Sequence, residues 1–144
     1  MKATFSGKSP ANRSCRVISM MLCVIALVAL AGCAPMIQSA PVELTPLMES
    51  AATRAIRFEN NADLRLDTGY TRMLASNSIW KPVGRLPQGT VYRPAGTVFT
   101  IEGRQVHEAY LVIQDKQLVG FYLPGEQTYS PLSTVVPITT GEIQ

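Results

Sequence analysis

The amino-acid sequence predicts an α+β fold: one N-terminal helix followed by a small antiparallel β-meander or β-barrel-like domain. Two observations predict it. Apolar residues recur every four positions within residues 47–61, which is the spacing of one helix face. Across residues 62–144, short β-branched and aromatic runs are separated by turn residues, which is typical of antiparallel strands.

The predicted helix occupies residues 47–61. Thr45 has the chemistry of an N-cap, and Pro46 suits the first helical position. Three apolar side chains then recur at i, i+4 and i+8, namely Met48, Ala52 and Ile56. Two asparagines end the pattern at residues 60–61, where the left-handed conformation is tolerated. We expect the alanine-rich face to pack against its own domain or against a partner.

The clearest strand signal lies in the second half of the β domain. Residues 106–114 and 118–123 are apolar runs joined by the polar residues 115–117, which predicts a hairpin. Pro131 and Pro137 restrict the strand that follows to an edge or irregular position, because proline cannot donate to a sheet.

The first 32 residues have the three-part pattern of an export signal. Their positive charge comes from Lys2, Lys8, Arg13 and Arg16. Residues 17–30 are almost continuously apolar, but this run is shorter than the roughly 18 residues that a membrane-spanning helix needs. We therefore expect residues 1–32 to be a signal peptide.

The end of the apolar run, Leu30-Ala31-Gly32-Cys33, resembles the lipobox of bacterial lipoproteins. In that family the cysteine thiol takes a diacylglyceryl group, the signal is cleaved before it, and the new amino terminus is acylated. The resemblance implies cleavage between Gly32 and Cys33, lipidation of Cys33 and attachment to a membrane. Position 34 is alanine, where inner-membrane-retained enterobacterial lipoproteins often carry aspartate. This favours the outer membrane. The expected orientation is toward the periplasm, but position 34 does not distinguish the two sides of that membrane.

Cleavage before Cys33 would change the charge of the protein. The whole chain has a formal charge of +3, with 13 basic and 10 acidic residues. The signal holds four basic residues and no acidic one, so the mature chain would carry nine basic and ten acidic residues, a charge of −1. A chain with this net charge lacks the excess of positive charge that binds nucleic-acid phosphates, so we expect no nucleic-acid partner. Residues 33–46 contain three prolines and are expected to form a lipidated flexible tether.

Catalytic and metal-binding patterns are not found, so we expect no enzyme, no metal site and no cofactor. His107 is the only histidine, and its neighbour Glu108 points to the opposite face of a strand, so we interpret His107 as structural. Three carboxylates could in principle supply a glycosidase pair but are better explained as solvated positions: Glu59, Asp63 and Asp67.

A contact surface is the remaining kind of candidate site. Aromatic and arginine side chains are favoured at protein contacts and also suit peptidoglycan. The candidate contact residues are Trp80, Arg85, Tyr92, Arg93 and Tyr122. The alternative for Trp80 is a place in the core, where the single tryptophan of a small domain is commonly found.

The leading functional hypothesis is a lipid-anchored, non-enzymatic envelope lipoprotein. It would bind or scaffold another envelope component, such as a secretion or conjugation apparatus. One alternative is a periplasmic module that binds peptidoglycan fragments or inhibits a hydrolase. The third hypothesis is an envelope hydrolase with paired carboxylates.

Overall fold

The structure, a computed structural model, describes residues 35–48 and 54–143. These residues form thirteen strands and no helix, so the α+β prediction was wrong and the described part is all-β. The strands are β1 (Ala40–Pro41), β2 (Thr45–Pro46), β3 (Ala55–Phe58), β4 (Ala62–Arg65), β5 (Thr71–Leu74), β6 (Ile79–Leu86), β7 (Gly89–Pro94), β8 (Thr100–Glu102), β9 (Val106–Glu108), β10 (Tyr110–Gln114), β11 (Gln117–Leu123), β12 (Thr128–Pro137) and β13 (Thr140–Ile143).

Nine of these strands make one antiparallel sheet. The order across the sheet is β1-β12-β11-β10-β7-β6-β3-β13, and β2 also pairs with β6. Two further hairpins, β4–β5 and β8–β9, stand apart from this sheet in the hydrogen-bonding pattern. They contribute side chains to the core on one face of it.

The described residues of the predicted helix, 47–48 and 54–61, contain no helix, and residues 55–58 form a strand instead. The expected start of the helix is β2, and its second half contains β3, which pairs with β6 on one side and β13 on the other. Ile56 and Phe58 are buried while Arg57 between them is exposed, which is the two-residue period of a strand. The four-residue spacing of the apolar residues predicted a helix. Pairing with distant strands makes the segment a strand instead. Residues 49–53 lie outside the described part.

The segment expected to be a tether contributes the short strands β1 and β2. Ala40 pairs with Tyr129 of β12, and Thr45 pairs with Arg85 of β6. Between them, Val42 and Leu44 pack on the sheet. The prolines of this segment are accommodated because each pairing is only two residues long. The domain therefore includes the chain from residue 40 onward.

A substitution at Gly84 of β6 tests whether the N-terminal segment packs on the sheet in this way. A Cβ added there would lie 2.6 Å from Leu44 Cδ1 and 2.9 Å from the Thr45 carbonyl oxygen. We expect Gly84→Ala to lower the free energy of unfolding by about 1–3 kcal/mol, because the backbone at Thr45 must shift. Urea denaturation measures it. Gly125→Ala is the control, since nothing lies within 4 Å of its Cβ position. Equal stabilities would contradict the docked segment.

The two faces of the main sheet carry separate apolar clusters. The larger cluster includes a row of four aromatic rings in the order Phe58, Trp80, Phe99 and Phe121. The centroids of successive rings in this row are 6.2, 5.5 and 6.2 Å apart. The two separate hairpins cover it with Leu64, Leu74 and Ile101. The smaller cluster lies under the N-terminal segment and contains Leu86, Val91, Val112 and Tyr122. Alternation along each strand thus buries apolar side chains on both faces.

The predicted hairpin between residues 106–114 and 118–123 is present only in part, as β10–β11. Residues 106–108 form β9 instead and pair with β8, because the strand is interrupted at Ala109. The two turn residues of β10–β11, Asp115 and Lys116, have φ of 50° and 61°, as a type I′ turn requires. The expected edge character of the next strand is also seen. Within the described residues, β1 pairs with β12 only at Thr128 and Tyr129, which leaves the outer side of Pro131 without a strand partner.

Candidate functional site

Two of the five candidate contact residues are buried. Trp80 is 3% exposed and belongs to the larger cluster, and Tyr122 is 6% exposed and belongs to the smaller one. The indole Nε1 of Trp80 donates a hydrogen bond to Ser78 Oγ at 3.1 Å, which satisfies its polar atom inside the protein. Both rings therefore belong to the core, and only a small part of each is exposed.

The other three candidates are divided between the two faces of the sheet. Tyr92 packs against the larger cluster, so its neighbour Arg93 points to the opposite face together with Val91. Burial raises the pKa of Tyr92, and the charge of Glu142 raises it further. The charge of Arg85 lowers the pKa of Tyr92, because Arg85 lies near its hydroxyl. The five predicted residues therefore do not form one patch.

The surface feature best suited to binding is an apolar groove that the sequence did not indicate. Its walls are the turn after β5, residues 75–78, and the loop after β7, residues 95–97. Trp80 and Phe99 line its inner side, and its volume is about 470 Å³. This volume is within the roughly 300–1,000 Å³ that is common for ligand pockets.

Exposed apolar side chains surround this groove. Met73 at the end of β5 is 57% exposed and lines it directly. Val98, between the lining residues Thr97 and Phe99, is 68% exposed. Ile79 adds a third exposed apolar side chain at the first residue of β6. A concave site with an apolar rim is typical of surfaces that bind a partner.

Polar contacts hold the strands around the groove in place. The Arg72 guanidinium lies 5.4 Å from the centroid of the Phe99 ring and donates to Thr100 Oγ1 at 3.3 Å, which ties β5 to β8. In the turn before β6, Asn77 N donates to the Phe58 carbonyl at 2.7 Å. Ser78 Oγ donates to the Ala75 carbonyl at 2.6 Å. A wall held in this way loses little entropy when a ligand binds.

His107 is oriented by a carboxylate that lies 19 residues away in the sequence. Its Nδ1 lies 2.7 Å from Glu126 Oε1, across the space between β9 and the β11–β12 turn. Such a contact fixes the imidazole ring, as in catalytic dyads. The contact links β9 to the turn between β11 and β12.

The three carboxylates considered for glycoside cleavage do not share one cavity. Asp63 and Asp67 line a surface cavity of about 460 Å³ together with Arg65. Glu59 lines another, of about 310 Å³, with Arg57 and Glu142. Both aspartates are exposed. Within residues 35–48 and 54–143, no three His, Cys, Asp or Glu side chains are grouped to hold a metal ion.

Three tyrosines form a row across the face that carries the smaller cluster. Tyr110 is the cross-strand partner of Tyr122, which is the partner of Tyr129. Burial raises the pKa of Tyr110, the adjacent Glu108 raises it further, and the charge of Arg93 lowers it. Burial also raises the pKa of Tyr129, whose hydroxyl donates to the Val119 carbonyl at 3.0 Å. This row extends from the part of the face that the N-terminal segment covers to Arg93.

Comparison with known proteins does not assign a family. No protein-family model, curated protein or solved structure compared with the chain matches it. A function for the chain therefore has to be inferred from the groove, the charged residues and the sequence motif themselves.

The residues predicted to be processed and lipidated, Gly32 and Cys33, lie outside the described part of the chain, as does the predicted signal peptide over residues 1–32. Among the residues that the structure does describe, there is no helix whose length and apolar character would let it cross a bilayer.

Proposed function

We propose that this chain is a lipid-anchored lipoprotein of the bacterial cell envelope that acts by binding another envelope protein. The lipobox-like motif ending at Cys33 supports the anchor, and Ala34 supports attachment to the outer membrane. The observation that carries the binding function is the apolar groove between residues 75–78 and 95–97.

The groove fits an apolar segment of a protein better than a polar ligand. Its inner side is formed by Trp80 and Phe99, and the exposed side chain of Met73 also lines it. Val98 is exposed and lies between the lining residues Thr97 and Phe99. Aromatic and methionine side chains are enriched where proteins contact each other, and methionine adapts to irregular apolar partners. A partner that covers the rim also removes exposed apolar side chains from water, which favours binding.

A lipid anchor strengthens this kind of binding. It keeps the domain and any envelope partner in the same thin layer, so a weak contact is occupied at a high effective concentration. A groove of modest size is then sufficient for stable association, without the large interface that a freely diffusing pair needs.

A cross-linking experiment in intact cells tests the proposal. A photoreactive amino acid at Val98 of the full chain is expected to capture the same one or two envelope proteins repeatedly. The matched control is Val106, which is 66% exposed against 68% for Val98. Both chain neighbours of Val98 line the groove, whereas neither neighbour of Val106 does. The charged substitution Met73→Asp is expected to reduce capture at Val98, because it places a carboxylate in an apolar contact.

Two results would overturn the proposal. One is equal capture of the same proteins from Val98 and Val106, since this reports abundance rather than the groove. The other is capture of cell-wall fragments alone, which would make the domain a ligand-binding module instead.

A further inference from the structure

Three basic side chains lie next to one another on the sheet face opposite the larger apolar cluster. They are Arg57 on β3, Lys81 on β6 and Arg93 on β7, and all three are exposed. Lys81 and Arg93 are direct cross-strand partners. Arg57 is the partner of Ile79, which lies two residues before Lys81 on the same side of β6. We call these three residues the basic face.

The side of the sheet on which the basic face lies follows from the neighbouring residues. Phe58, Trp80 and Tyr92 each lie next in the chain to one of the basic residues, and all three pack in or against the larger cluster. Successive strand residues point to opposite sides, so the three cations share the other side of the sheet. They lie beyond the part of this side that the N-terminal segment covers with Val42 and Leu44.

This arrangement is costly for the isolated domain. Like charges directly opposite each other destabilise a sheet, and the Lys81–Arg93 pair is such a case. Within the described residues, the ion pairs are Arg72–Glu102 and His107–Glu126, and neither involves the basic face. Two carboxylates lie near this face: Glu59 lines a cavity together with Arg57, and Glu108 lies beside Tyr110. Within the described residues neither forms an ion pair with the basic face, so the repulsion between Lys81 and Arg93 is not neutralised. A bound anionic surface would remove the repulsion.

Tyr110 extends the basic face toward the tyrosine row. The register that pairs Leu111 with Tyr92 places Tyr110 beside Arg93. Its ring is half-buried, with one part against the smaller cluster. Tyrosine next to basic residues is typical of protein surfaces that rest at the level of lipid headgroups, because the ring is apolar at one end and polar at the other.

We propose that the basic face rests on the anionic phospholipid headgroups of the membrane that carries the anchor. This inference rests on the proposed lipid attachment at Cys33. Strand β1 begins at Ala40, seven residues after Cys33. An extended chain spans at most about 3.3–3.6 Å per residue, so β1 stays within about 25 Å of the bilayer surface.

The position of β1 also connects the anchor to the basic face. Ala40 pairs with Tyr129, which is one end of the tyrosine row, and the row continues through Tyr110 to Arg93. Strand β1, which follows the proposed anchor, is therefore connected to Arg93 of the basic face by one row of cross-strand neighbours. Headgroup phosphates move laterally in a bilayer and can pair with three adjacent cations without a fixed spacing. Each such cation is expected to strengthen binding about fivefold.

Vesicle co-sedimentation of a chain without lipid tests the inference. The test protein is the mature chain from residue 33 with Cys33→Ser, which keeps all of the residues of both described core clusters. We expect it to bind vesicles that contain phosphatidylglycerol and phosphatidylcholine, to bind more weakly at high salt, and not to bind pure phosphatidylcholine. The triple variant Arg57→Gln/Lys81→Gln/Arg93→Gln is expected to bind about a hundredfold more weakly.

A matched triple variant separates position from total charge. Arg65→Gln/Arg104→Gln/Lys116→Gln also removes three exposed cations, but from strand and turn positions outside the basic face, and is expected to keep most of the binding. A single change, Lys81→Glu, places opposite charges across from each other and so preserves the sheet. It should weaken binding about 25-fold, because it changes the charge of the face by two.

Equal losses in the two triple variants, or no binding of the parent chain to phosphatidylglycerol vesicles, would overturn the inference. Neither result bears on the anchor, because the test chain carries no lipid and acylation of Cys33 is measured separately by mass. A failed anchor with intact vesicle binding would instead overturn the proposed lipoprotein while leaving the basic face as a membrane-binding surface.

Discussion

The Cys33→Ser chain is expected to carry no lipid and to accumulate as an unprocessed precursor. The resemblance of residues 30–33 to a lipobox implies that the thiol accepts the diacylglyceryl group before the signal is cut. A serine hydroxyl is a much weaker nucleophile than a thiolate, so the first step fails and the later ones do not follow. Intact mass and partitioning into detergent measure the two effects.

Cys23→Ser is the matched control for this experiment. It removes a thiol ten residues earlier, within the apolar run, and should leave processing and acylation unchanged. A Cys33→Ser chain that is cleaved normally and released in soluble form would contradict the lipoprotein assignment. So would a wild-type chain whose detergent partitioning equals that of the variant.

Truncating a central core ring should have the largest effect on stability. Phe121 of β11 is fully buried, its ring stacks on Phe99 at a centroid distance of 6.2 Å, and its backbone neighbours are Leu111 of β10 and Ser130 of β12. Phe121→Ala is expected to lower the free energy of unfolding by about 3–5 kcal/mol, since the site is closed in by paired strands and cannot collapse. Urea denaturation followed by tryptophan fluorescence measures it.

Val135→Ala supplies the comparison on the same sheet. Val135 is exposed on β12, where a truncation should change stability by no more than about 0.5 kcal/mol. If Phe121→Ala costs no more than Val135→Ala, the ring does not lie in the core that the structure shows.

The strands whose signals are local were the ones the sequence could predict. The β10–β11 hairpin needs only two alternating runs and two turn residues, and Asp115 and Lys116 supply that turn. Strand β3 was missed because Ile56 fits both a four-residue and a two-residue period. The choice between them is made by pairing with β6 and β13, which are far away in the sequence.

The candidate site was harder to predict than the strands. Trp80 and Tyr122 were singled out by residue type, but their burial depends on Phe99 and on the N-terminal segment, which only the folded chain brings near. The groove combines two turns separated by the length of β6 and β7, and no local pattern marks it. His107 and Glu126 are likewise joined only by tertiary structure.

The last described strand has a consequence for the order of folding. Strand β13 pairs Ile143 with Ala55, so one border of the main sheet is assembled from opposite ends of the β domain. Closing so long a loop is slow, because its entropy is lost before any pairing compensates it. The sheet therefore cannot be completed until residue 143 is available. For a chain that is exported as proposed and crosses the membrane unfolded, this border of the sheet forms only after residue 143 has crossed.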